Sequence, residues 1–82
     1  MRAKIIWLPP ALQDLENVPY QEAERILEKV ELLSEFPEMG SRMFFAWEGY
    51  RQLIVGNYRV IYGVVTPQRV EIAYIRHTRQ KL

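Results

Sequence analysis

The chain has 82 residues, a net charge of +1, no Cys and a single His, with 49% apolar and 26% charged residues. This length accommodates one domain; without Cys there are no disulfides or thiolate ligands, and His77 alone speaks against an all-protein zinc site. No apolar run nears the ~20 residues of a membrane span, and the stretch between Lys4 and Pro9 is shorter than the ~7–15 residues of a secretory signal. A soluble cytoplasmic domain with no cofactor and no membrane partner is expected.

Ala3 to Trp7 reads as a short strand, halted by Pro9-Pro10. Proline is tolerated in the first turn of a helix, so Pro10 to Glu16 forms a first helix, with Ala11, Leu12 and Leu15 at helical spacing. Asn17 and Pro19 end it. Tyr20 to Phe36 carries the most regular helical pattern: Ala23, Ile26, Leu27, Val30 and Leu33 form one apolar stripe, stopped by Pro37 and Gly40. The short linker between the two helices sets them antiparallel.

After Gly40 the period falls from 3.6 to 2. Tyr50–Val55 and Tyr58–Val65 flank Gly56-Asn57, a dipeptide suited to a two-residue hairpin turn. Thr66-Pro67-Gln68 then turns the chain into a last strand, Arg69–Arg76. Met43 to Trp47 fits either a further short strand or an ordered loop. The order is strand, helical hairpin, then an antiparallel meander of three or four strands. That is an α+β domain over residues 1–82, with the helices covering one sheet face.

The hairpin predicts a register in which Val55 faces Tyr58, Ile54 faces Arg59 and Leu53 faces Val60. Leu53, Val55, Val60, Tyr62 and Val64 then share the helix-covered face, joined by Val70, Ile72 and Tyr74. Strict alternation puts Gln52, Ile54, Arg59, Ile61, Gly63, Ala73 and Ile75 on the other face, and continues it to His77 and Arg79. The expectation is a shallow basic site floored by Gly63 and Ala73.

Charge is unevenly distributed. Residues 1–41 hold four basic and eight acidic residues, whereas residues 42–82 hold seven basic residues against Glu48 and Glu71. Seven of the ten aromatic residues also lie in that basic half. Arg interleaved with aromatic rings suits RNA or another anionic surface, although strands recruit the same residues for packing. RNA can be cut by its own 2′-OH if a protein supplies a base, an acid and positive charge for the phosphorane. His77 and Glu48 are the candidate proton carriers, with Arg59 and Arg79 supplying charge. Arg42, Arg51, Gln52, Arg76 and Lys81 are the candidate substrate-binding residues around them.

The run Gly49-Tyr50-Arg51-Gln52-Leu53-Ile54-Val55-Gly56-Asn57-Tyr58-Arg59-Val60-Ile61-Tyr62, followed by Val70-Glu71-Ile72 and Ile75-Arg76-His77-Thr78-Arg79, resembles the RelE/ParE toxin superfamily. Ile6-Trp7, Pro10-Ala11, Asp14-Leu15, Leu33, Phe36-Pro37 and Met39-Gly40 extend the resemblance over nearly the whole chain. The resemblance implies a helical hairpin on an antiparallel sheet and a toxin of a type II toxin–antitoxin module, neutralised by a cognate antitoxin. RelE-like members cut mRNA in the ribosomal A site, and ParE-like members poison DNA gyrase. In the nucleases an Arg at the position of Arg59 stabilises the phosphate. This chain departs from that pattern: it lacks a C-terminal Tyr, and the loop before the sheet offers Arg42 and Glu48 but no Lys. The leading reading is a metal-independent, ribosome-dependent mRNA endonuclease; the alternatives are a gyrase inhibitor and an inactive antitoxin-binding relative. By the same resemblance the antitoxin surface is the second helix with Phe44, Phe45 and Trp47, unless those aromatics plug the sheet edge.

Overall fold

Residues 2–82 are described in a computed structural model. The elements follow as β1 (Lys4–Trp7), α1 (Pro9–Glu16), α2 (Tyr20–Glu31), β2 (Ser41–Arg42), β3 (Arg51–Val55), β4 (Tyr58–Thr66) and β5 (Arg69–His77). Single 3₁₀ turns occupy Leu32–Ser34 and Phe45–Trp47. Met43 to Trp47 is therefore not a strand, and the fourth strand of the meander is the two-residue β2. The strands form one five-stranded sheet in the order β1-β5-β4-β3-β2. Only β1 and β5 pair in parallel, with Lys4 beside Arg69 and Trp7 beside Ile72.

The helix starts follow from proline. Pro9 and Pro10 occupy the first helical positions of α1, where a missing N–H costs nothing. Pro19 precedes α2, which carries Glu22 in its first turn and Lys29 in its last, both favourable to the helix dipole. Ile26, Val30 and Leu33 are fully or almost fully buried against the sheet, but Leu27 is 45% exposed. A two-layer fold covers one side of a helix, and Leu27 lies about 100° around α2 from Ile26. The apolar stripe is thus narrower than its sequence suggests, and α2 gives way to the 3₁₀ turn before Phe36.

The predicted hairpin register holds: Val55 opposes Tyr58, Ile54 opposes Arg59 and Leu53 opposes Val60. Gly56 alone takes a positive φ in the turn, at 59°, as a II′-type hairpin requires of its first central residue. The main core unites Ile26, Val30 and Leu33 with Leu53, Val60, Tyr62, Val70 and Ile72.

The last strand departs from strict alternation. Tyr62 pairs with Ile72 but Ile61 pairs with Tyr74, so Ala73 is an extra residue and β5 is bulged there. Every side chain beyond Ala73 changes face relative to the expectation. Ile75, not Tyr74, joins the core, and His77 opposes Tyr58 on the helix side. Tyr74 and Arg76 move to the open face, opposite Ile61 and Arg59. The physical reason is core filling: the bulge lets Ile72 and Ile75, three residues apart, both bury in one apolar layer.

A smaller buried set lies outside the main core. Ile61, Met43 and Ala73 are 0%, 6% and 5% exposed. Trp47 stands edge-on to Tyr50 and to Tyr74, with centroids 5.7 and 5.6 Å away, so rings lie over this part of the open face.

Candidate functional site

Arg59 is the second residue of β4, flanked on the open face by Ile54 of β3 and Arg76 of β5. Its Nε is buried and has no hydrogen-bond partner among the described residues. Two guanidinium groups in directly opposed strand positions repel each other unless one is neutralised. Arg76 is the neutralised one. Its Nη1 donates to Asp14 Oδ2 at 2.7 Å, and its guanidinium lies 4.8 Å from the Tyr74 ring centroid. The same Asp14 oxygen accepts the Ile75 N–H at 3.0 Å. Arg59 is left as a half-buried cation whose charge no carboxylate of the described residues balances.

The other expected site residues are dispersed. His77 stands edge-on to Tyr58 at 5.4 Å, on the helix side of the sheet and not beside Arg59. Its Nδ1 accepts the Arg79 N–H at 3.1 Å, so the neutral ring carries its proton on Nε2. With Asp14, Asn17, Tyr58 and Gln80 it lines a hollow of about 220 Å³. Arg51 faces the helix side as well, where Nη1 donates to the Gly40 carbonyl at 2.7 Å and Nη2 lies 3.7 Å from the Glu38 carboxylate. It braces the loop before β2. Arg42 opposes Arg51 and is exposed. Gln52 shares the open face through its pairing with Ile61. Glu48 is exposed and directly follows Trp47, whose ring rests on Tyr74. Arg79 and Lys81 are exposed in the C-terminal segment.

The expected floor of Gly63 and Ala73 also changes character. Both line a hollow of about 220 Å³ with Tyr50 and Glu71, an aromatic and acidic setting rather than a basic one. Asp14 and Tyr74, which position and cover Arg76, were not among the candidate residues. Asp14 belongs to the acidic half of the chain and Tyr74 reads as core under strict alternation, so only the bulge brings them to the site. Among the described residues no group of three His, Asp or Glu is placed to hold a metal ion.

One buried polar arrangement supports this frame. Tyr62 Oη donates to the Pro37 carbonyl and accepts the Gly40 N–H, both at 2.8 Å. Burial pushes the Tyr62 hydroxyl above its ordinary value, opposed by the Gly40 hydrogen bond and the nearby Arg51 charge. The Tyr62 hydroxyl thereby ties the turn before β2 to β4, three residues from Arg59.

A helical hairpin on one face of a bulged five-stranded sheet, with Arg59 and Arg76 opposed on the other, defines a small α+β class of protein. Residues 5–82 match the family described as the ParE toxin of type II toxin-antitoxin systems, parDE. The chain belongs to this toxin family. Solved structures agree in fold. It is similar to the toxin–antitoxin complex RelBE2 from Mycobacterium tuberculosis, with TM-score 0.85 and 21% identity over 94% of this chain and 99% of that one. It is similar to a mutant of the E. coli toxin RelE in the free state, with TM-score 0.79 and 15% identity over 96% and 86%. The chromosomal ParDE system of P. aeruginosa gives TM-score 0.76 and 17% identity over 93% and 96%. Direct comparison with curated protein sequences finds no match.

Proposed function

We propose that this toxin-family protein cleaves mRNA on the ribosome, with Arg59 binding the scissile phosphate. The observation that carries this reading is the buried, unpartnered Nε of Arg59 on the open sheet face. A preorganised cation without a protein acceptor stabilises charge that develops on a phosphorane. In the step, a base takes the 2′-OH proton, the O2′–P bond forms and the P–O5′ bond breaks. The departing 5′ oxygen receives a proton, leaving a 2′,3′-cyclic phosphate and a 5′-hydroxyl. Glu48, exposed and next to Trp47 in the chain, is the preferred proton carrier, and His77 serves only if substrate wraps the end of β5. Arg76, Gln52, Arg42, Arg79 and Lys81 add positive or hydrogen-bonding surface, while Arg51 acts through the loop it braces.

The cognate antitoxin is the second part of this reading, since the M. tuberculosis neighbour is a toxin–antitoxin complex. The outward side of α2, with Tyr20 77% and Leu27 45% exposed, supplies the apolar surface such a partner needs.

A non-catalytic reading is favoured by one observation. Arg59 has no imidazole beside it, because His77 opposes Tyr58 on the other face. A cation without an adjacent imidazole suits binding more than cutting, as an inhibitor of DNA gyrase would use it. Brief induction of the wild type and Arg59→Ala in a growing bacterium, with 5′ ends mapped on cellular mRNA, separates the two. New cuts within translated frames that vanish in Arg59→Ala establish cleavage. Growth arrest with intact mRNA and a DNA-damage response establishes the gyrase reading instead.

A further inference from the structure

Phe45 combines two features that packing does not explain. It is the only non-glycine residue with positive φ among the described residues, at 59°, and it is 95% exposed. A left-handed backbone is unfavourable for a bulky side chain, and glycine would adopt it freely. No burial compensates, because the ring touches almost nothing of its own protein.

The turn that carries this ring is firmly based. Trp47 and Glu48 donate their N–H groups to the carbonyls of Phe44 and Phe45 at 3.1 and 3.0 Å. Trp47 is seated edge-on against Tyr74, and Tyr74 lies under the Arg76 guanidinium, opposite Arg59 in the next register position. Two residues span at most about 7 Å, so the Phe45 backbone stands within that distance of Trp47. A free aromatic face is thus held at the border of the open sheet face, the face that also carries Arg59.

We propose that Phe45 is a stacking platform for an unpaired base of single-stranded RNA whose phosphate lies at Arg59. Its substrate class rests on the mRNA-cleaving reading. An anionic occupant with flat rings fits this border and RNA supplies both, since residues 42–82 carry seven basic residues against two acidic ones. Aromatic stacking is tolerant of base identity and depends on a flat π face, so it requires aromaticity and not mere hydrophobicity.

The test measures binding of the full chain to a short, fluorescent, single-stranded RNA carrying 2′-O-methyl riboses, which cannot be cleaved. Phe45→Ala and Phe45→Leu are expected to bind about 10-fold more weakly, and Phe45→Trp within about twofold of the wild type. Phe45→Gly loses binding as Phe45→Ala does, yet melts no lower than the wild type, because the left-handed backbone is relieved. Wild-type binding by Phe45→Leu, unchanged binding by Phe45→Ala, or no RNA binding by the wild type overturns the proposal. Loss of antitoxin binding in Phe45→Ala with RNA binding intact also overturns it and makes Phe45 a protein contact. If the stacking pattern appears while translated mRNA stays intact in cells, the cleavage reading fails and the stacking role stands.

Discussion

The carboxylate of Asp14 in α1 accepts the backbone N–H of Ile75 in β5 at 3.0 Å, although the two residues are 61 positions apart. β1 pairs only with Arg69 to Ile72, so the outer edge of β5 is open beyond it. A helix side chain substitutes there for a neighbouring strand, and the same oxygen neutralises Arg76. Replacing Asp14 by Ala leaves a half-buried N–H and an unbalanced guanidinium next to Arg59. We expect a loss of about 2 kcal/mol in stability by denaturant unfolding, with Asp14→Asn losing less.

On the proposed reading, Arg59 is expected to set activity without supporting the fold. Arg59→Ala is expected to lower mRNA cleavage about 100- to 1000-fold, as removal of one preorganised charge donor does. Arg59→Met keeps the aliphatic stem and removes a buried donor with no acceptor, so its stability should match or exceed the wild type by about 1 kcal/mol. Cleavage assays paired with melting curves check both arms, and a destabilised Arg59→Met would show that the guanidinium holds the fold.

The Tyr62 hydroxyl predicts an alkaline limit to stability. Its value is raised in the folded protein, chiefly by burial, so the fold favours the neutral phenol. Below the ordinary value of 10.0 both states keep the proton and stability is unaffected by this group. As pH rises past that value the unfolded chain loses its proton first, and stability falls until the folded hydroxyl ionises. Tyr62→Phe should abolish this dependence while costing about 2 kcal/mol at neutral pH, because the buried Gly40 N–H loses its acceptor. Urea midpoints measured from pH 8 to 11 test the sign.

Gly40 has no room for a side chain. A Cβ there would come within 2.6 Å of the Gln52 carbonyl oxygen and 2.7 Å of the Tyr62 hydroxyl. The first is backbone in β3 and cannot swing aside. Gly40→Ala should therefore destabilise the protein by about 3 kcal/mol and detach the loop that Arg51 and Tyr62 hold. Loss of cooperative melting in the variant is the expected readout.

Local rules carried the sequence reading far. Gly56-Asn57 set the β3–β4 register and so the position of Arg59, because a two-residue turn leaves no freedom in pairing. Proline marked the start of α1 and the break before α2. The neighbours of Arg59 were not legible, since they depend on whether β5 alternates strictly. The run Ile72-Ala73-Tyr74-Ile75 accommodates two phases, and only the shape of the core selects Ile75 over Tyr74. Phe45 was visible as an exposed aromatic candidate, but its backbone conformation has no sequence signature. Leu27 misled because a helical stripe records apolar positions without recording how many neighbours the fold supplies.

The extra residue at Ala73 gives β5 two independent clocks. Its first half counts from Val70 and locks to β1; its second half counts from Ile75 and presents Arg76. A frame change confined to one half stops at the bulge and leaves the other half's inside and outside intact. The anchoring half and the site-bearing half can therefore drift separately in sequence.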